Sequence, residues 1–328
     1  MARKKVIYQK RNPKLNVMIV GGSGYIGSRL VQDLREKYNV INVDITNKRH
    51  NNNEMRMHFA QLDQRMLYDV DAVIFLAGYS SVPMCEKSHT TDVITDNVTL
   101  FINFVEKIRA AQMLTEHKIK FIYASSSSVY GSGGLEGKED LETEFKAMNL
   151  YDWTKYCCDS YMKSQEDIQY YGLRFGTVNG YSPNTREDIM INSMVRTAKT
   201  KKKIVVTNKK TRRPILAISD LVRAMEAIID NPNDLRGIYN VASFNSTVEQ
   251  IAKKVEKITN SRIEYALATK TNTKPYDFVA NTDKFCKAFN FEFKGTVTSI
   301  TNELLENYKQ INFITRNRSA LGFGKKYL

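Results

Sequence analysis

A β-branched run at residues 17–20 (VMIV) breaks into Gly21, Gly22, Gly24 and Gly27 and then into a helix-patterned stretch. The glycines at 21, 24 and 27 give a G-x-x-G-x-x-G spacing between a strand and a helix. Residues without a Cβ let the backbone of such a turn approach a pyrophosphate. The helix that follows aims its unpaired N–H groups and positive dipole end at the same point. This order of strand, glycine turn and helix is the opening unit of a parallel α/β sheet that binds a dinucleotide. No G-x-x-x-x-G-K-[ST] occurs, which argues against a P-loop nucleotide triphosphatase.

The first half of the chain repeats the alternation. Strand patterns fall at 40–43 (VINV), 71–76 (DAVIFL), 120–124 (KFIYA) and 171–175 (YGLRF), with helix patterns at 28–38, 93–113 and 150–165. Strands and helices in turn imply a parallel sheet with right-handed crossovers. The alternation weakens after about residue 180. There, SPNTR (182–186) is turn-rich, two basic stretches (199–203 and 208–213) flank a short strand, and helix patterns return at 219–229 and 247–259. The expected architecture is a Rossmann-type doubly wound parallel sheet with a smaller C-terminal α/β substrate-binding lobe. The expected parts are a basic arm (1–15), a dinucleotide-binding domain (16–180 with about 212–240), a substrate lobe (181–211 and 241–314) and a basic tail (315–328).

Composition sets outer bounds. The 328 residues carry 49 Lys and Arg against 35 Asp and Glu, a net charge of +14. Such a balance suits anionic partners, phosphorylated small molecules among them, although solvated lysines account for it equally well. No run reaches the roughly 18 apolar residues of a membrane span, so no membrane association is expected. The basic N-terminus is not followed by an apolar segment, so no secretory signal is expected. Cys85, Cys157, Cys158 and Cys286 form no C-x-x-C pair. A reduced, cytoplasmic setting is the simplest expectation. The four histidines show no metal-ligand spacing, and no metal is expected.

Two further features carry chemistry. Asp44 ends the second strand pattern, 17 residues after Gly27. A carboxylate there accepts hydrogen bonds from a ribose and repels a 2′-phosphate, favouring NAD over NADP; the alternative is a loop cap. The segment Ser125-Ser126-Ser127-Ser128-Val129-Tyr130-Gly131 follows a strand, and Tyr151 and Lys155 stand at i and i+4. Those two positions share a helix face. An ammonium beside a phenol favours the phenolate, a base able to take an alcohol proton while a hydride leaves for a nicotinamide.

These motifs together resemble the extended short-chain dehydrogenase/reductase family, and within it the NAD-dependent nucleotide-sugar epimerase/dehydratase branch. The similarity runs over roughly residues 16–310 and includes Leu76-Ala77-Gly78, Asp96-Asn97-Val98, the LRFGTV segment at 173–178, Arg213 to Asp220-Leu221, and YNVAS from Tyr239. The resemblance implies Tyr151 as base, Lys155 as its lysine and Ser126 as the hydroxyl that orients substrate, with Ser125 and Ser127 the neighbours in register. It implies NAD contacts from Gly21, Gly24, Tyr25, Ile26, Gly27, Asp44, Leu62, Asp63, Leu76, Ala77, Gly78 and Asn97, with Leu62-Asp63 at the adenine and Lys155 at the nicotinamide ribose. It implies substrate contacts from Ser126, Ser127, Thr177, Asn192, Arg213 and Cys85, with Arg213 at the diphosphate. It also implies a homodimer through the helices at 93–113 and 150–165.

The chain departs from the family at several points. Serines fill the place where 4,6-dehydratases carry Thr-Asp-Glu before Val-Tyr-Gly, which argues against a dehydratase and for an epimerase or ketoreductase. Thr177, Asn179 and Ala217 replace a usual Asn, Tyr and His. The expected substrate is a nucleotide-diphosphate sugar, with inversion at C4 of a UDP-sugar as the main reading. The alternatives are a keto-sugar reductase or sugar dehydrogenase, and inversion at another carbon such as C2. A nucleotide-sensing or RNA-binding relative is disfavoured by the complete Ser–Tyr–Lys set, so nucleic acid is not the expected partner.

Overall fold

The computed structural model describes residues 14–314 apart from 48–50, 52, 132–135, 139–146 and 268–275. The basic arm up to residue 13 and the tail 315–328 lie outside the described residues. The central sheet contains β1 (Asn16–Val20), β2 (Asn39–Val43), β3 (Glu54–Met55), β4 (Ala72–Phe75), β5 (Lys120–Ser126), β7 (Tyr170–Phe175) and β11 (Gly237–Val241). Their spatial order is β11-β7-β5-β4-β1-β2-β3, and every neighbouring pair is parallel. The order reverses beside β1, so β1 and β4 part at their carboxyl ends into the crevice where ligands bind such sheets.

The side-chain alternation of β1 explains why its sequence is apolar throughout. Val17 and Ile19 enter one buried cluster with Leu30 and Leu34 of α1 (Tyr25–Leu34) and Met225 and Ile228 of α7 (Ile218–Asp230). Met18 and Val20 enter the opposite cluster with Phe101, Phe104 and Ile108 of α4 (Leu100–Thr115) and Met162 of α5 (Leu150–Lys163). A sheet covered on both faces needs apolar residues at every strand position rather than at alternate ones.

The helix pattern over 93–113 divides in the structure. A short helix α3 (Thr90–Ile94) runs into a π turn (Thr95–Thr99) and only then into α4. The Asn97 side chain accepts from the Tyr79 N–H (2.7 Å) and donates to the Tyr79 carbonyl (3.1 Å). That anchor fixes the turn to the loop after β4, and the extra residue in the turn is the consequence. α2 (Val82–Lys87) closes the same loop.

Outside the central sheet, β8 (Thr177–Asn179) pairs in parallel with β10 (Arg212–Ala217), and β12 (Phe244–Thr247) pairs antiparallel with β10. β9 (Lys203–Val206) pairs with β13 (Arg262–Tyr265), and β6 (Glu136–Gly137) with β14 (Val279–Ala280). α6 (Met190–Lys201), α8 (Val248–Thr259) and α10 (Val297–Glu306) share a core of Ile191, Val195, Ile204, Ile251, Val255 and Ile300. The short α9 (Asp283–Phe289) packs Phe285 and Phe289 against Tyr239 of β11.

Candidate active site

A cleft of about 1080 Å³ opens at the carboxyl ends of the strands, and the glycine turn forms part of its wall. The turn is packed tightly from behind. Gly21 adopts φ +89°, and a Cβ there would lie 2.9 Å from Ala77 N; a Cβ on Gly27 would lie 2.2 Å from Gly21 O. At Gly24 the nearest atom to a Cβ would be Gly21 O, at 3.4 Å. Gly24 is also the N-cap of α1 and makes no side-chain cap, which leaves the first N–H groups of the helix for a ligand. A pyrophosphate fits this cradle by both shape and charge.

Asp44 stands on the cleft wall beside the turn. Its Oδ2 accepts from Ser23 N–H (3.0 Å), and its Oδ1 accepts from the Thr46 N–H (2.9 Å) and hydroxyl (2.7 Å). Asp44 thus caps its own loop and fixes the glycine turn. A carboxylate has about four acceptor sites, which leaves capacity for a ribose hydroxyl.

The serine segment ends β5 at Ser126 and opens a 3-10 turn at Ser127. Ser125 is buried and donates to Asp159 Oδ2 (3.0 Å); Ser127 is buried and donates to the Phe175 carbonyl (2.8 Å). Ser126 lies between them on the cleft side, with its Oγ 2.7 Å from Ser128 Oγ. Of these three serines, Ser126 is the one whose hydroxyl is not given to Asp159 or to the Phe175 carbonyl. Tyr151 and Lys155 line the same cleft from α5, with Lys155 Nζ 5.7 Å from the centre of the Tyr151 ring. Lys155 also donates to the Ala124 carbonyl (2.8 Å), which ties the ammonium to β5.

Arg213 reaches the cleft from β10. Its Nε makes no hydrogen bond among the described residues, and its guanidinium lies over the Tyr276 ring at 5.5 Å. Burial holds it below the ordinary arginine value, with Tyr276 and Asp277 opposing. Asp277 is itself committed to Arg212 at 2.7 and 3.1 Å. A half-buried cation with a buried, unmet donor at a cleft wall is a seat for an anion.

The other expected site residues divide. Tyr25, Ile26, Leu76, Ala77, Gly78, Ser127 and Thr177 line the cleft. Leu62, Asp63, Asn97, Cys85 and Asn192 do not. Leu62 is buried in the core under Phe59, and Asp63 caps a short 3-10 helix and pairs with Arg65 at 2.7 Å. Met57, His58 and Phe59, a few residues earlier in the chain, line the cleft. Asn97 spends its amide on Tyr79 and Thr154. Cys85 packs with Tyr79, Met84 and Val93, and burial pushes its thiol up to about 11. Asn192 holds Gly180 N–H (3.0 Å) and Tyr25 OH (3.2 Å), supporting the glycine-turn helix from behind.

Sequence reasoning missed Asp96. It is 3% exposed, sits in the π turn, lines the cleft, and its Oδ1 has no hydrogen-bond partner among the described residues. The one signal for it is the acid before Asn97, and the π turn that brings it to the wall has no sequence signature. Burial, aided by the Asp92 charge, pushes its carboxyl up to about 6. An acid raised on folding weakens the fold above that value and has no effect below its unfolded value, 3.8. Asp96→Asn is therefore expected to stabilise the protein by about 2 to 3 kcal/mol at pH 8, and the gain should fade toward pH 4. Urea unfolding at the two pH values checks both the sign and the window.

A glycine-cradled cleft walled by a Ser–Tyr–Lys set defines a dinucleotide-dependent enzyme site of the short-chain dehydrogenase/reductase kind. The model of the NAD dependent epimerase/dehydratase family matches residues 17–242, and the chain belongs to that family. It is similar to the ADP-L-glycero-D-manno-heptose-6-epimerase of Brachyspira hyodysenteriae at 26% identity, covering 76% of this chain and 83% of that one. It is also similar to the UDP-glucose 4-epimerase of Mycoplasma genitalium at 27% identity, covering 88% and 95%. Among solved structures, the UDP-glucuronic acid 4-epimerase of Bacillus cereus in complex with UDP-glucuronic acid and NAD superposes with a TM-score of 0.77. That match has 21% identity and covers 90% of this chain and 99% of that one; it shows the shared fold. NAD is the cofactor of the family. Among the described residues no helix is long and apolar enough to cross a membrane.

Proposed function

We propose that the protein is an NAD-dependent epimerase of a nucleotide-diphosphate sugar, with a UDP-sugar as substrate and C4 as the inverted carbon. The observation that carries this reading is the placement of Tyr151, Lys155 and Ser126 on the wall of one cleft with the glycine turn. Gly21, Gly24 and the N-terminus of α1 hold the NAD pyrophosphate, and Asp44 takes a ribose hydroxyl. Bound NAD supplies the hydride acceptor and later the donor. Tyr151 removes the proton of the substrate hydroxyl, Lys155 stabilises the phenolate from beside the ring, and Ser126 hydrogen-bonds the reacting oxygen. Arg213 takes the diphosphate and holds the substrate while its sugar turns, so that the hydride returns to the opposite face.

The serines at 125–128 support inversion over dehydration, because water elimination needs an acid at that segment. The homodimer belongs to the same reading. Its support is the exposure of Trp153 and Tyr156 on α5, and light scattering decides it. Mass spectrometry of small molecules released on denaturing the purified protein tests the ligand classes. NAD together with a nucleotide sugar is expected; NADP in its place would overturn the role given to Asp44.

A further inference from the structure

Two arginines stand side by side on β10 and meet different partners. Successive side chains of a strand point to opposite faces. Arg212 turns to Asp277, which accepts from its backbone N–H (2.7 Å), its Nε (3.1 Å) and its Nη2 (3.1 Å). A carboxylate that accepts two guanidinium N–H groups occupies the fork that it neutralises. Arg213, on the cleft wall, turns instead to the Tyr276 ring, whose centre lies 5.5 Å from its Cζ. Its buried Nε has no hydrogen bond among the described residues. An aromatic face attracts a cation within about 6 Å through its quadrupole and takes none of its N–H groups. The ring thus offsets part of the cost of desolvating the Arg213 charge and leaves the donors open to an anion.

The ring is itself fixed. The Tyr276 hydroxyl donates to Asp152 Oδ2 (2.6 Å) and accepts from Asn149 Nδ2. Asn149 is the N-cap of α5: its Oδ1 accepts from the Asp152 N–H (3.0 Å), and its Nδ2 donates to Asp152 Oδ2 (2.9 Å). Phe278, which is buried, meets the Tyr276 ring edge-on with the centroids 6.4 Å apart. One end of Tyr276 is therefore held on the first turn of α5, the turn that carries Tyr151, and its face lies under Arg213.

We propose that Tyr276 is a positioning residue for the substrate diphosphate: its ring backs the Arg213 guanidinium without using its donors, and its hydroxyl fixes that ring on the first turn of α5. The proposal rests on the diphosphate seat in the reading above and adds the residue that keeps this seat open. The adjacent pair shows the alternative. A carboxylate in place of Tyr276 would take the Arg213 fork as Asp277 takes that of Arg212. The same clamp joins the diphosphate seat to the helix end that carries the base, so the two ends of the substrate are placed by one network.

Isothermal titration calorimetry of the NAD-loaded protein with UDP, and separately with inorganic pyrophosphate, tests this without turnover. Tyr276→Leu is expected to weaken UDP binding about 10-fold, within the range of a desolvated cation–π contact. Tyr276→Phe keeps the ring and is expected to stay within about 3-fold of the parent. Arg213→Ala is expected to weaken UDP about 30-fold or more. With Arg213 already replaced, adding Tyr276→Leu should change the affinity by less than about 2-fold, because a residue that acts through another is not additive with it. A general loosening of the cleft would instead carry its full loss into the Arg213→Ala background. Three results overturn the role of Tyr276: a leucine variant that binds like the parent, a phenylalanine variant as weak as the leucine one, or a loss that persists undiminished without Arg213. Tyr276→Met serves the same purpose if the leucine variant does not fold. Arg213→Ala binding both ligands as tightly as the parent refutes the diphosphate seat, and the inference with it. A parent that binds pyrophosphate but not UDP refutes the uridine reading alone, and the order of the variants on pyrophosphate still decides the role of Tyr276.

Discussion

Tyr151→Phe is expected to lower turnover about 1000-fold, within the range typical for loss of a general base, while the protein keeps its fold and its NAD. The hydroxyl is the only group removed. The ring stays in place beside Lys155, whose ammonium remains anchored on the Ala124 carbonyl of β5. The glycine turn and Asp44 are untouched, so cofactor content measured after denaturation should match the unaltered protein. A variant that retains more than a tenth of the activity would remove Tyr151 from the role of base. A variant that loses its NAD as well would show that the phenol holds cofactor rather than protons.

Asp159→Ala is expected to cost about 3 to 5 kcal/mol of stability, the usual price of leaving one partner of a buried ion pair alone. Asp159 is 1% exposed and accepts from Tyr123 OH (3.0 Å), Ser125 Oγ (3.0 Å) and Arg174 Nε (2.8 Å). Arg174 is buried as well and passes the network on to Tyr130 OH (3.0 Å), which donates to Asn240 Oδ1 (2.8 Å). Burial alone would lower the Arg174 value, yet the Asp159 charge and the Tyr130 hydroxyl raise it overall. The truncated variant leaves a guanidinium and two hydroxyls without their acceptor between α5, β5 and β7. Urea unfolding measures the loss, and a change below 1 kcal/mol would mean that the pair is dispensable. Because α5 carries Tyr151 and β5 carries Ser126, the same variant is expected to lose activity through displacement of these two residues.

The local pattern made the central sheet legible. VMIV, VINV and DAVIF are apolar at every position because both faces of the sheet are covered, and their glycine and helix neighbours fixed the connections. The helix pattern at 93–113 was right in kind and wrong in continuity. The anchor that splits it is a side-chain bond from Asn97 to a loop 18 residues earlier, which no local pattern encodes. α6 was missed because its apolar positions serve a second, smaller core, and its lysines read as a charge run. At the site, spacing placed the glycines, Asp44, Ser126, Tyr151 and Lys155 on one cleft. Leu62 and Asp63 lie off the cleft wall, which His58 and Phe59 line, and Asn192 braces Tyr25 from behind. Asp96 was invisible as a cleft group, because a buried carboxylate looks in sequence like any other acid.

Incubating the purified protein with UDP-glucose, and following the sugar nucleotide by chromatography and the nicotinamide by absorbance at 340 nm in the same sample, decides whether it inverts C4 without net redox change. The C4-inverted UDP-sugar is expected to form to an equilibrium mixture, with no net NADH released and none required. Stoichiometric release or consumption of NADH with product, or a dehydrated product, would contradict it.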